Sequence, residues 1–528
     1  MAPLLLCALF WTASGQLTGP LIVGKTFMAG STDPTSGSTA WALTSHGISE
    51  KLFTVDDTGS IVPQVGQSVS KVDTFTWDVT LKSDYKFSDG TAVTAQHVAD
   101  CLGEMNRLSS NAQASLGTMT LTARDASTVR IVSDRATPVM DAVLAEWPFV
   151  VYVVKNGQRY FTGPYLVAHF AANNHINLVP NTYYPRAAER PTLEIKKFAD
   201  GNAVAQALEQ GQVDMAFHLP VDELPALRQL SGITVKSFLV GYHYMMWHNS
   251  RREPLSDKRL RKAIDMALDR QELTQELRGG RPTRSLFPEN SPYDLGEAVP
   301  HADKSGAEAL IETAGWVKNA SGFYEKSGAP LTVRAVAYPQ RPGLVLMLPV
   351  IKQRLEALGI VVDAHVTSGS SWDELDGIIA GRDYDLLLWA QHTLPAGDPS
   401  WFLNSFFRSD GGNNHGGLNS TAVDDLLTDL GHAEEHITRV SDTRTVHQAI
   451  LEEVPVSNLM TPSWHVGLSS RLSEYVPWGS DYYVIHSDFG LPATTSTTTG
   501  QSTDVSAAHQ SWFSAIGLMA CALLTSQL

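Results

Sequence analysis

The run of residues 75–98, FTWDVTLKSDYKFSDGTAVTAQHV, dictates its local structure more tightly than any other part of the chain. Phe75, Trp77, Val79 and Leu81 alternate with Thr76, Asp78, Thr80 and Lys82, giving the apolar and polar faces of a half-buried strand. Asp89-Gly90 then supplies a turn, because glycine tolerates positive φ and an aspartate side chain bonds nearby backbone. Thr94 stands at the N-cap of a helix opening Ala95-Gln96-His97-Val98. A second unit places strands over 193–198 and 213–217 around a helix over 202–210, the alternation of an α/β lobe.

At 528 residues the chain is too long for one core, and more than one lobe is expected. A hydrophobic fraction of 43% and a charged fraction of 18% are those of a soluble globular protein. The formal charge of −16 argues against nucleic acid and anionic membrane surfaces as partners. Residues 1–16 read as a secretory signal peptide: an apolar run from Leu4 to Trp11, then the small residues Ala13 and Gly15. Cys7 lies in that run and Cys521 in an apolar tail, so Cys101 alone remains in the body and no internal disulfide can form. Residues 491–528 form a Thr/Ser-rich spacer and apolar tail, short for a membrane span, whose small residues Ser506, Ala507 and Ala508 fit a glycolipid-anchor signal. The product is expected outside the cytoplasm, either periplasmic or at a cell surface.

A second strong run, Pro254-Leu255-Ser256-Asp257 through Ala267-Leu268-Asp269-Arg270, is a capped helix with Leu260, Ile264 and Leu268 on one face. With W-x-V-x-L-(x)5-F-S-D-G-x-x-V-T-A-x-x-V at 77–98, Thr162-Gly163-Pro164-Tyr165 and Asn181-Thr182-Tyr183-Tyr184, it resembles the extracellular solute-binding proteins of the oligopeptide/dipeptide/nickel family, family 5. The resemblance spans roughly residues 20–490. It implies an α/β periplasmic-binding-protein type II fold: two lobes, an extra domain and an interlobe ligand cleft. On that pattern lobe I comprises 17–50, 161–250 and a return segment 455–490, the extra domain 51–160, and lobe II 251–454. Gly163 and Pro164 are read as a rigid turn in which the glycine takes an unusual backbone conformation. The implied function is capture of a small solute by a monomer that delivers it to an ABC transporter permease. A surface binding protein that has kept the fold without a transporter is the alternative.

In peptide-binding members of the family, an Asp three residues beyond a buried Trp holds the ligand's α-amino group; the matching run here is Trp389-Ala390-Gln391-His392, with His392 in its place. An imidazole is a poor ammonium anchor, which turns the reading toward the nickel and metallophore branch. That branch is resembled by Tyr338-Pro339-Gln340-Arg341-Pro342-Gly343-Leu344 and by the spacing of Arg408 and Asn413 in a glycine-rich loop with Asn414 and His415. Arg408 is expected to clamp a carboxylate. Trp389, Trp401, Tyr244, Trp247 and Trp147 are expected to line the cleft, each with core packing as the competing reading. Nickel-binding members carry an Arg before a P-F pair where this chain has Trp147-Pro148-Phe149. No resident cofactor is implied; a nickel or other transition ion would travel inside a chelate, touched through it by His392 or His415.

One run favours an enzyme instead. His432-Ala433-Glu434-Glu435-His436 matches the inverted zinc-protease pattern H-x-x-E-H, which requires both histidines on one helix face. A zinc-dependent surface hydrolase is therefore the competing class, although the run falls in a connection and has no evident third ligand.

Overall fold

The computed structural model describes residues 19–56, 60–289, 291–369 and 372–491. The leader over 1–16 and the tail beyond 491 lie outside the described residues. Two large sheets organise the rest. A seven-stranded sheet takes, in spatial order, Tyr165–Ala171, His175–Pro180, Leu193–Lys197, Leu21–Lys25, Met215–Phe217, Ser463–Ser469 and Ile233–Leu239. A six-stranded sheet takes Arg281–Pro282, Val456–Thr461, Tyr242–His248, Leu386–His392, Thr332–Ala337 and Val361–Val366. The first belongs to lobe I and the second to lobe II.

The opening motif folds as its alternation requires. Thr76–Leu81 buries Trp77, Val79 and Leu81 and pairs with Gly66–Lys71 and Thr128–Ser133 in the four-stranded sheet of the extra domain. The Thr94 side chain accepts the amide of His97, and helix Ala95–Leu108 packs its apolar face, including the free thiol Cys101, on that sheet. Helix Lys258–Ala267 is likewise capped by Asp257, with Leu260 and Ile264 buried.

The sheets are joined by two neighbouring chain crossings. One passes from Ile233–Leu239 to Tyr242–His248 through Val240-Gly241; the other passes from Val456–Thr461 to Ser463–Ser469 through Pro462. The four strands pair antiparallel on either side of this point, so the crossings form one ribbon running from sheet to sheet. Pro462 has no amide to donate, and that interrupts the ribbon where the sheets part. The sheet boundaries therefore fall near 241 and 462, not at the expected 250 and 455: Tyr242–His248 and Val456–Thr461 belong to the lobe II sheet. Their continuous burial explains the shift, since both are central strands with no solvent face. Strand Leu386–His392 is parallel to Thr332–Ala337 and antiparallel to Tyr242–His248.

Gly163 is required for a different reason from the one read in the sequence. Its backbone is not in the left-handed region; a Cβ there would lie 2.5 Å from the Ile48 carbonyl oxygen and 2.7 Å from that of Gly47. The constraint is close backbone approach, where the Gly163 amide donates to the Ile48 carbonyl at 3.1 Å. Gly163→Ala is expected to cost about 1–3 kcal/mol of stability, because backbone atoms on both sides must move. Thermal melting against wild type checks this, and an unchanged transition would refute it.

Candidate functional site

Where the two lobes meet, side chains close a circuit of aromatic rings. Phe27 lies 4.5 Å from Trp41, Trp41 6.2 Å from Tyr482, Tyr482 5.4 Å from His392, and His392 5.2 Å from Tyr242. Tyr242 then lies 4.6 Å from Trp464, Trp464 4.6 Å from His218, and His218 5.6 Å from Phe27. Arg341 enters from lobe II at the start of helix Pro342–Leu358, its guanidinium carbon 5.2–5.8 Å from the centres of Phe27, Trp41, Tyr242 and Trp464. Such faces attract a cation. Asp481, from the return segment of lobe I, accepts Arg341 Nη2 at 2.6 Å and the Tyr242 hydroxyl, and is itself 0% exposed. The Thr26 hydroxyl donates to the Gln340 carbonyl at 2.9 Å, a second tie across the lobes.

Several nitrogen-bearing side chains gather here around the one ion pair. Lys25 Nζ donates to Ser45 Oγ at 2.8 Å, lies 3.5 Å from His46 Nδ1 and sits 3.8 Å from the centre of the Phe27 ring. Burial holds the Lys25 ammonium well below the usual lysine range; Asp481 opposes this and Arg341 adds to it. Burial also depresses His46, helped by Lys25, and His218, helped by Arg341 and Lys25. Several enclosed polar atoms here have no hydrogen-bond partner: Trp41 Nε1, Arg341 Nε, His218 Nε2 and His392 Nδ1. Indole and guanidinium N–H groups left unmade in this way are costly, and both suit a carboxylate acceptor.

The residues singled out from sequence divide into two groups. His392 ends its strand inside the ring circuit, so tightly placed that a Cβ at Gly241 would lie 2.6 Å from its ring. Burial, with the neighbouring His243, lowers its pKa to about 3, and the imidazole is neutral near pH 7. Tyr244 borders the circuit, its hydroxyl accepting Trp464 Nε1 at 3.1 Å. The other residues lie apart from it.

Arg408 is not a free clamp. It donates to Asn404 Oδ1, the Asp424 carbonyl and Thr428 Oγ1, bracing two helices of lobe II. Asn413 Nδ2 bonds Ser405 Oγ and Asn111 Oδ1, the latter on the extra domain, and Trp401 Nε1 donates to the Asn111 carbonyl. Trp147 meets Trp401 edge-on at 6.1 Å. This group therefore docks the extra domain on lobe II. Asn414 bonds the Leu418 backbone at both ends of its amide, and His415 packs among Trp247, Trp389 and Phe406. Trp247 is fully buried and stacks on Phe406, which is core packing; half-buried Trp389 leans on Tyr338.

The H-x-x-E-H reading fails on geometry. His432 ends helix Thr421–His432 and His436 begins helix His436–Glu453, so the pair is not one turn apart on one helix. Glu434 pairs with Lys71 of the extra domain, and His432 meets the Phe75 ring. Among the described residues, no group of three metal-capable side chains gathers there or elsewhere.

Sequence reasoning passed over Arg341, Asp481, Lys25, Trp41, His218, Tyr482 and Trp464. Only Arg341 carried a signal, as the charged residue of Tyr338–Leu344. A cavity of about 580 Å³ opens beside the hinge, between Leu239, Arg281, Arg284, Glu297 and Thr461, but it does not touch the ring circuit.

A lobed fold whose polar centre is enclosed between two sheets is that of a solute-binding protein. Residues 60–414 match the model of the bacterial extracellular solute-binding proteins, family 5, and the chain belongs to that family. It is 23% identical over 448 residues to the nickel-binding protein NikA of Staphylococcus aureus, covering 83% of this chain and 88% of that one. The solved structure of S. aureus NikA in complex with Ni(L-His)2 superposes with a TM-score of 0.81 at 22% identity, over 89% of this chain and 98% of the other. The oligopeptide-binding protein AppA of Bacillus subtilis, solved with a nonapeptide, gives 0.75 at 19% identity, over 88% and 97%.

The buried histidines set a pH dependence. His392 and His415 are held near 3, and His243, His447 and His465 near 4, in each case first by burial. In the unfolded chain they titrate near 6.5, so below about pH 6.5 the unfolded state binds more protons and stability falls. Each contributes about 1.4 kcal/mol per pH unit between its unfolded and folded values. The melting temperature is expected to drop steeply from pH 6.5 to 4, and His392→Gln to shallow the slope by about one proton. Denaturant titrations at several pH values measure this; a slope unchanged in the variant would contradict it.

Proposed function

We propose that this protein captures a small carboxylate-bearing ligand between its lobes and presents it to an ABC-type importer outside the cytoplasm. The carrying observation is the enclosed centre in which Arg341 pairs with Asp481 while the N–H groups of Trp41 and Arg341 Nε have no acceptor. A ligand carboxylate takes the unpartnered N–H groups of Trp41 and Arg341. The space beside His218, Tyr244 and Trp464 is about 30 Å³, too small for any amino acid, so the ligand enters by parting the lobes at the Gly241/Pro462 ribbon.

An amino-acid chelate of nickel or a related ion is the leading cargo. Neutral His392, with Nδ1 unpartnered beside Tyr242 and Tyr482, can meet such a complex either as a metal ligand or as a hydrogen-bond acceptor. The metal is cargo here, not a resident cofactor. A short peptide is the second reading, and the likeness to AppA keeps it in view. No chemical step is required of the protein, and a monomer suffices.

Calorimetry with nickel(II) and two equivalents of L-histidine tests the site, alongside native mass spectrometry of the protein as purified. Arg341→Ala is expected to weaken binding about a hundredfold, the loss of a charged pair worth about 3 kcal/mol. Arg408→Ala is expected to leave affinity within about twofold, since its donors serve lobe II alone. The reverse pattern would return the site to the glycine-rich loop.

A further inference from the structure

Two histidines stand together on the outward face of the lobe I sheet, apart from the ring circuit. His169 and His175 belong to the hairpin of strands Tyr165–Ala171 and His175–Pro180, the first of which is an edge strand of the seven-stranded sheet. Their ring centres lie 5.3 Å apart. Along His175–Pro180 the buried Ile176 and Leu178 alternate with His175 and the exposed Asn177, so His175 is on the outward face.

His169 reaches that face through an irregularity. Tyr165, Leu166 and Val167 pair with Pro180, Val179 and Leu178; the register then shifts, and His169 pairs with Asn177. By plain alternation position 169 would point inward with Tyr165 and Val167. The extra residue, Ala168, turns it outward instead, the re-aiming that a β-bulge produces. The connection Ala172-Asn173-Asn174 is closed by the Asn174 amide, which donates to the Ala171 carbonyl at 3.0 Å, with Asn173 in the left-handed region at φ 57°. Two imidazoles are thus carried side by side on a short hydrogen-bonded hairpin.

Their surroundings suit a metal ion. His175 Nδ1 lies 3.1 Å from Asn174 Oδ1. That oxygen only accepts, so Nδ1 carries the proton and Nε2 keeps its lone pair. A hydrogen bond of this kind, from the second ring nitrogen, orients metal-ligating histidines. On the next strand Lys196 stands opposite His175 and Glu194 opposite Asn177, and the Lys196 ammonium is 3.9 Å from the Glu194 carboxylate. A ring centre sits about 3.2 Å from a metal bound through one ring nitrogen at about 2.0–2.1 Å, so two imidazoles at a tetrahedral angle have centres about 5.2 Å apart. The 5.3 Å between His169 and His175 meets that requirement.

We propose that His169 and His175 form an exterior two-histidine site for a borderline divalent transition ion such as nickel(II), copper(II) or zinc(II), taken as the hydrated ion and not within a chelate. One ring nitrogen of each displaces a water, and the remaining positions stay hydrated, so no electron is transferred. Imidazole suits these ions, whereas magnesium and calcium prefer oxygen, and affinity rises from nickel to copper. The site is separate from the interlobe centre, and the inference stands or falls independently of what binds there.

The test is calorimetry of the full chain with nickel(II) chloride and with copper(II) chloride in histidine-free buffer. Pulsed electron paramagnetic resonance of the chain with one equivalent of copper(II) counts the bound imidazoles. Wild type is expected to bind copper more tightly than nickel and to show two imidazoles on the copper. His169→Ala and His175→Ala are each expected to weaken this binding at least about tenfold, and the double variant to bind little worse than either, because both side chains serve one ion. Asn174→Ala is expected to weaken it about tenfold by freeing the His175 ring. His169 is exposed and His175 half-buried, so the metal-free melting transition of each variant should match wild type. Single variants that bind both ions like wild type, losses that simply add in the double variant, or fewer than two imidazoles on the wild-type copper would overturn the inference.

Discussion

The Arg341–Asp481 pair is the interaction on which the arrangement of the lobes depends. Arg341 belongs to lobe II and Asp481 to lobe I, and both are almost wholly enclosed. Isolating either charge in such a place costs several kcal/mol, whereas the pair with its hydrogen bonds is tolerable. The Tyr242 hydroxyl and the faces of Phe27, Trp41 and Trp464 complete the surroundings. A centre of this kind is stable only while the lobes are together.

Closure is shared with two other features. The ribbon of paired strands through Gly241 and Pro462 fixes where the sheets can bend, and His392 packs directly over Gly241. The extra domain is fastened to lobe II by Asn111 with Asn413 and Trp401, by Arg135 with Asp410 and by Lys71 with Glu434. These outer ties are partly exposed and each contributes little by itself. Their role is registration: they hold Trp147, from a domain with its own separate sheet, against Trp401 of lobe II.

Much of the fold was legible because it is encoded locally. Alternation at Trp77–Leu81, the cap at Thr94 and the capped helix after Asp257 follow from short-range rules and appear where those rules put them. The site was less legible, because its members come from segments hundreds of residues apart and most sit in unremarkable local sequence. Asp481 and Tyr482 lie in a single 3-10 turn, and Lys25 ends a buried strand where a hydrophobe would be the ordinary choice. Arg408 and Asn413 looked like ligand contacts because a glycine-rich loop with an arginine fits a carboxylate; the folded chain uses the same donors to join helices and domains. His432 and His436 failed for a local reason, a helix break between them that spacing alone does not reveal.

The central claim is that cargo sits inside the ring circuit, between Arg341 and the wall formed by Tyr482 and His392. A crystal structure of the protein grown with nickel(II) and L-histidine tests it most directly. The account predicts ligand density touching Arg341 and His392, with the aromatic faces of Trp41 and Tyr242 around it. Density seated instead against Arg408 and Asn413, with the ring circuit unchanged, would contradict it.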